Sequence, residues 1–324
     1  MAKPFVIVGL GEILWDILPS GKVLGGAPAN FAYMANVLGD QGIVASRVGS
    51  DQLGHEVREA LAALDLTTRF LQEDPHHETG SAKVLIDTLG QPTFTITESV
   101  SWDFLEWTPG WEELSQTADV ISFGSLAQRS SISARTIDCF LQNARSDVLR
   151  IFDVNLRQSY YRKAILRRSL QHANIVKLTD QELYRLSSLL QLGSGSDEIL
   201  ARALLRQWDL RLVCVTKGAR GSLLVSEEEI VEHHGYPVQV VDTVGAGDAF
   251  TASLVHHFIR GRSLKEISEC ANQFASWVAT QTGAMPRISQ LQLQQIKHGN
   301  ARAVITSDRT HISRSSPEDR EKSR

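Results

Sequence analysis

Cysteine is scarce: three residues in 324, at Cys139, Cys214 and Cys270. They are far apart and odd in number, so they form neither a disulfide framework nor a metal-ligand spacing. Such sparing use fits a reducing, cytoplasmic setting, and all three are expected as small buried thiols. Charge of one sign is also lacking. The 33 Lys+Arg and 37 Asp+Glu leave a formal net charge of -4. With no basic excess to neutralise a phosphate backbone, nucleic acid is excluded as the main partner. Long apolar runs are missing too. Phe5-Val6-Ile7-Val8-Gly9-Leu10 is too short to span a bilayer, and Glu12 and Asp16 interrupt the residues after it. No other stretch approaches transmembrane length, so no membrane partner is expected. From Thr306 to Arg324 large apolar residues are absent except Ile312. Such a segment cannot offset its own ordering entropy, and 301–324 is expected to be a charged, disordered tail.

The remaining composition is ordinary for a folded enzyme, with 42% hydrophobic and 22% charged residues. The length allows one large α/β domain or two small ones. Strand-like runs at 5–10, 42–48, 119–123, 148–154, 173–178 and 211–216 alternate with helix patterns at 27–38, 52–64, 130–145, 179–190 and 197–208. Several of the strand runs are apolar throughout, as in strands covered on both faces. This rhythm predicts an α/β fold: a largely parallel sheet with helices on both sides. Residues 81–97 break the rhythm. They read as two strands around Leu89-Gly90-Gln91-Pro92, either a lid over a site at the sheet's carboxyl edge or an antiparallel edge addition.

Two segments carry chemistry. In the first, Val241-Asp242-Thr243-Val244-Gly245-Ala246-Gly247-Asp248-Ala249-Phe250, a strand-like run over 237–241 feeds a turn and then a helix, with Phe250, Leu254 and Phe258 on one face. Glycines there let the backbone approach a ligand, and free N–H groups at a helix start form an anion site. A carboxylate at Asp248 can accept a proton from a hydroxyl attacking a phosphorus held close by. Read alone, Asp248 equally well complements the helix dipole in a tight loop. The second segment is Gly25-Gly26-Ala27-Pro28-Ala29-Asn30-Phe31-Ala32. It reads as a turn, a proline suited to a helix start, and small residues that let the helix lie close to the sheet. Asn30 then points into a cleft or caps backbone locally.

Together these segments resemble the signatures of the ribokinase-like, or phosphofructokinase-B, sugar kinases, in the family's order. Val48-Gly49-Ser50-Asp51-Gln52-Leu53-Gly54, Val215-Thr216-Lys217-Gly218-Ala219-Arg220-Gly221, Ala271-Asn272 and Gly283-Ala284-Met285-Pro286 resemble further family segments. The resemblance implies a three-layer ribokinase-like fold over about 1–300, with a small β lid from 12–24 and 81–103. It implies phosphoryl transfer from ATP to a sugar hydroxyl. Asp248 is then the base, Gly245-Ala246-Gly247 the anion hole, and Asp16, Gly25, Gly26, Asn30 and Arg157 the sugar side. Thr216, Gly218, Gly221 and Asn272 fall on the nucleotide side. Mg2+ is implied near Glu182, acting through water; Thr179-Asp180-Gln181-Glu182 replaces the family's Asn with Thr and doubles as a helix capping box. Asp242 lies where some relatives hold a monovalent cation such as K+. A homodimer through the β lid is a further expectation.

Asp153-Val154-Asn155-Leu156-Arg157 looks most like fructokinases, which implies fructose as the acceptor. A guanidinium at Arg157 also suits a carboxylate, so 2-keto-3-deoxygluconate kinase stands as the alternative. A catalytically silent sugar-kinase fold is the alternative of another class. Gly9-Leu10-Gly11-Glu12 resembles the start of a dinucleotide fingerprint, but Leu14 stands in place of its last glycine. The adjacent histidines His76-His77, His233-His234 and His256-His257 do not share a face, so they read as solvated or hydrogen-bonded side chains rather than metal ligands.

Overall fold

A computed structural model describes residues 3–19, 21–86 and 92–297. In chain order the elements are β1 (Val6–Leu10), β2 (Leu14–Leu18), β3 (Gly21–Gly25), α1 (Ala27–Leu38), β4 (Gln41–Gly49), α2 (Gln52–Ala63), β5 (Leu71–Asp74), β6 (Ser81–Ile86), β7 (Pro92–Ile96), α3 (Pro109–Thr117), β8 (Val120–Gly124) and α4 (Ser131–Asn143). There follow β9 (Leu149–Asp153), α5 (Lys163–His172), β10 (Ile175–Thr179), α6 (Asp180–Leu190), α7 (Asp197–Gln207), β11 (Leu212–Thr216), β12 (Ser222–Val225), β13 (Ile230–His233), α8 (Ala246–Phe258), α9 (Leu264–Val278) and α10 (Gln290–Lys297).

The main sheet runs β13-β12-β11-β10-β9-β8-β1-β4-β5. Its pairs from β11 to β5 are parallel, and β12 and β13 add an antiparallel edge. Alternate residues of the apolar strands face different cores. Ile7, Ile151, Ile175 and Leu212 pack with α1, α8 and α9. Val8, Phe152, Val176 and Val213 pack with α3 to α7. Both faces are therefore covered, and three layers result. The strand order reverses at β1: the chain proceeds from β1 to β4 on one side and later from β8 to β11 on the other. Ligands of open α/β sheets bind at the carboxyl ends of strands beside such a switch point.

The second, smaller sheet has the order β3-β2-β6-β7. Its outer pairs are antiparallel, while β2 and β6 run parallel. It stands over the carboxyl edge of the main sheet, which selects the lid over the edge addition. The Asp51 carboxylate anchors its entry, since it caps α2 at the Gly54 amide (2.8 Å) and accepts the Thr79 hydroxyl (2.6 Å).

The structure departs from the sequence pattern in two places. Residues 237–241 form no strand: Val241 and Asp242 donate only to the Ala279 carbonyl, and Val240 and Val241 stay exposed because no neighbouring strand offers a ladder. Cys139 is exposed on the outer stripe of α4, whereas Cys214 and Cys270 are buried as expected. The turn at 89–91 and the tail at 301–324 lie outside the described residues. Among the described residues no helix is long and apolar enough to cross a membrane.

Helix α1 lies unusually close to the sheet. A Cβ on Gly9 would sit 2.1 Å from the Pro28 carbonyl oxygen, and one on Gly42 only 1.9 Å from that of Ala32. Gly42→Ala must lift α1, and we expect a loss of about 2–3 kcal/mol, read as a lower urea midpoint. An unchanged midpoint would refute this account of the packing.

Candidate active site

The carboxyl ends of β1, β9 and β10, the lid and the start of α8 enclose a cavity of about 520 Å3. Its wall includes Glu12, Asp16, Gly26, Asn30, Asn155, Arg157, Lys177, Thr179, Glu182, Gly245, Gly247 and Asp248. Two segments distant in sequence meet there: the Asn30 side-chain amide donates to Asp248 Oδ2 at 2.7 Å. Asn30 is 4% exposed, and its own Oδ1 has no partner.

The start of α8 brings backbone amides to the cavity wall. Gly245 caps the helix with φ 79°, a left-handed conformation, and a Cβ there would lie 2.7 Å from Ala284. Gly247 and Asp248 fall in the first turn, whose N–H groups have no acceptor within the helix. Ala246 does not line the cavity, and its N–H turns inward to the Thr243 carbonyl at 3.3 Å. The first-turn amides left without an acceptor are those of Gly247 and Asp248, aided by the helix dipole.

Burial pushes the Asp248 carboxyl up to about 6, with repulsion from Asp153 adding to it; Lys177, the Asn30 hydrogen bond and Arg157 oppose the rise. Asp153 itself is held by Lys177, whose Nζ lies 3.2 and 3.1 Å from its two oxygens. Burial disfavours the Lys177 charge, but Asp153, Glu182 and Asp248 around it hold its pKa above the ordinary lysine value. The Thr251 hydroxyl lies 3.1 Å from Asp153 Oδ2 and 3.0 Å from the Gly247 carbonyl, so this buried pair is tied to the first turn of α8. The ammonium sits against Gly247, where a Cβ would come within 3.1 Å of it.

On the lid side, Asp16 is partly buried, and burial raises its pKa while Arg157 opposes. Gly25 packs against Asp16, where a Cβ would lie 2.5 Å from the carboxylate. Arg157 is exposed at the rim. The nearby Asn155 has φ 42°, an uncommon backbone state for a side-chain-bearing residue, and lines the cavity.

Glu182 lines the cavity while completing the capping box of α6. Its oxygens accept the Leu156 and Thr179 amides at 2.7 and 2.8 Å, and Thr179 caps the Glu182 amide in return. Both Asp242 oxygens also hold amides, those of Val244 (3.0 Å) and Gly283 (3.1 Å). Asp242 therefore fastens the anion loop to the 283–286 turn and stands outside the cavity wall. Thr216 ends β11, in register with Thr179 of β10, at the same sheet edge. Gly218 opens the short turn after it, and Gly221 meets the backbone of His233 and Gly235. Asn272 is buried and gives its amide to Ser222 and Ser268, away from the cavity.

Sequence reasoning missed Glu12 and Lys177. Both had a signal: Lys177 interrupts the apolar run Ile175-Val176-Lys177-Leu178, and Glu12 lies just past the first strand. A buried charge in a strand end at a switch point is rarely accidental. Within each pair at least one histidine has a polar partner: His77 faces Asp74, His233 faces Glu269, His256 faces Asp40 and His257 faces the Ser253 carbonyl. Among the described residues no three His, Cys, Asp or Glu side chains are placed to hold a metal directly.

The family model for pfkB family carbohydrate kinases matches residues 20–291. The chain belongs to that family. This kinase is 31% identical to the fructokinase of Escherichia coli over 296 residues, 85% of this chain and 94% of that one. It is 32% identical to the fructokinase of Salmonella typhimurium over 260 residues, 76% and 82% of the two chains. Among solved structures, fructokinase from Vibrio cholerae O395 with fructose, ADP and calcium ion bound superposes with a TM-score of 0.76 at 25% identity, covering 90% of this kinase and 98% of that chain. Fructokinase from Xylella fastidiosa with bound ATP gives a TM-score of 0.78 at 23% identity, over 90% and 99%, and so shares the fold. The kinase is a ribokinase-like carbohydrate phosphotransferase.

The buried pair under the anion loop has a measurable role. Lys177→Met removes the counter-charge of a buried carboxylate whose proton affinity burial already raises, and is expected to cost about 3–5 kcal/mol in urea unfolding. The double variant Lys177→Met/Asp153→Leu should regain most of that loss. A single variant as stable as the wild type would show that the pair is not needed.

Proposed function

We propose that this kinase transfers the γ-phosphate of ATP to a hydroxyl of fructose, yielding fructose 6-phosphate. One observation carries the transfer chemistry: a carboxylate in the first turn of α8, held by Asn30, beside two free helix-start amides in a 520 Å3 cavity. Asp248 accepts the proton of the attacking hydroxyl. The Gly247 and Asp248 amides donate to the transferring phosphate as its charge builds, and Arg157 at the rim adds a positive charge. Such chemistry depends chiefly on positioning, and the lid over β1 keeps bulk water away from the reacting atoms. Glu182 would hold a hydrated Mg2+ through water, and the ion would supply neutralising positive charge to the nucleotide phosphates. The residues fit it through water: Glu182 keeps spare lone pairs beside its two amides, and a hydrated Mg2+ needs few protein ligands.

A neutral sugar fits better than a sugar acid. Asp16, Glu182 and Asp248 line the cavity, while Lys177 is already committed to Asp153 and Arg157 stands exposed at the rim. Hydroxyls donate to carboxylates; a substrate carboxylate would face them as a like charge. The similarity to fructokinases supports the same substrate.

Two experiments test this. Asp248→Asn should lower kcat about 10²–10⁴-fold with little loss of ATP binding. Since the base must be ionised and its pKa is raised to about 6, wild-type kcat should rise with pH through that value. Full turnover by the variant would remove Asp248 from the mechanism. A coupled ADP-release assay over a sugar panel decides the acceptor: fructose is expected to give the highest kcat/KM, and a preference for 2-keto-3-deoxygluconate would overturn the assignment.

A further inference from the structure

Glu12 is an acid that the transfer chemistry leaves unused. It lies just past β1 at the switch point and is only 2% exposed. Its Oε2 is buried with no hydrogen-bond partner. It lines the reaction cavity, and with Ser122, Asp153, Asn155 and Asp248 it also lines an adjoining cavity of about 10 Å3. That is close to the space of one water molecule.

Three carboxylates therefore share one small space. Asp153 has Lys177 and Thr251, and Asp248 has the Asn30 amide. Glu12 takes part in no ion pair among the described residues. Arg157, Asp153 and Asp248 act on it across the cavity, whose walls also carry Asp16, Lys177 and Glu182. An unpaired carboxylate in such a place is costly, and the group avoids that cost by keeping its proton. Burial pushes Glu12 up to about 7; its own backbone amide and Arg157 oppose the rise, and Asp248 and Asp153 add to it. A neutral acid is a donor, and the acceptors around the small cavity include the Asp153 and Asp248 carboxylates.

We propose that Glu12 is a positioning residue for phosphoryl transfer: as a neutral carboxylic acid it donates, through one water in the small cavity, to Asp248, and so keeps that base ionised and aimed at the sugar hydroxyl. The inference rests on the reading of Asp248 as the base. It predicts a second limb in the pH profile. Activity rises as Asp248 ionises and falls as Glu12 loses its proton, because the donor then becomes a third anion beside the base.

The test is kcat and KM from pH 5 to 9 for the wild type, Glu12→Gln and Glu12→Leu, with ATP affinity and thermal unfolding alongside. Glutamine keeps a donor at every pH. Glu12→Leu should lose about 30–100-fold in kcat with KM for ATP nearly unmoved, and Glu12→Gln should recover to within about fivefold of the wild type while losing the alkaline limb. A glutamine variant as impaired as the leucine variant overturns the neutral-donor role, as does one that keeps the alkaline limb. If the leucine variant does not fold, the pH profile of the glutamine variant decides alone. A wild type that turns over no sugar overturns the kinase reading, and this inference falls with it. Sugar turnover combined with an impaired glutamine variant overturns this inference only.

Discussion

Helix α1 can reach the sheet only because Gly9 and Gly42 leave room for the Pro28 and Ala32 carbonyls. The rest of the site depends on that approach. It puts Asn30 low enough to meet Asp248, whose helix packs on the same face of the sheet. A methyl group on either glycine would collide with backbone, which has little freedom to give. Two atoms of absent side chain thus set the height of the layer that carries half of the active site.

The site's electrostatics follow from burial more than from any single contact. Carboxylates from four elements converge at the carboxyl edge of the sheet: Glu12 after β1, Asp16 on β2, Asp153 on β9 and Asp248 on α8. Only Asp153 has an ammonium in contact. All four carry raised proton affinities for the same first reason, removal from water. A base near neutrality is useful for taking a proton from a hydroxyl, since it stays ionised at working pH yet holds the proton when it arrives. Opposite them, the α8 start offers amides, and the Lys177 ammonium against Gly247 is already paired with Asp153.

Much of this was legible in the linear chain. The apolar runs marked the strands, since both alternating faces of a parallel strand are buried. Gly245, Gly247 and Asp248 taken alone read as a tight turn at a helix start, and only together with Gly25-Gly26 and Asn30 did they resemble the anion loop of the sugar kinases. The capping box of Thr179 and Glu182 was equally plain. Long-range partners were not. Asn272 has the sequence position of a nucleotide-side residue, yet its amide serves Ser222 and Ser268. The stretch 237–241 has strand composition but no neighbour to pair with. For 237–241 the deciding atoms belong to distant segments, and for Asn272 one partner is distant, Ser222, while the other, Ser268, lies one turn back in the same helix.

The order and type of elements, the glycine turns and the chemistry available at Asp248 were determined by the sequence itself, because they depend on residues within one turn or one strand of each other. Only the tertiary structure decided that Lys177 pairs with Asp153 beneath the start of α8, that Asn30 donates to Asp248, and that Glu12 Oε2 stands without a partner in the same cavity. Those facts arise from burial and from contacts between segments far apart in the chain. Local pattern carries no record of which side chain will share a low-dielectric space with which other.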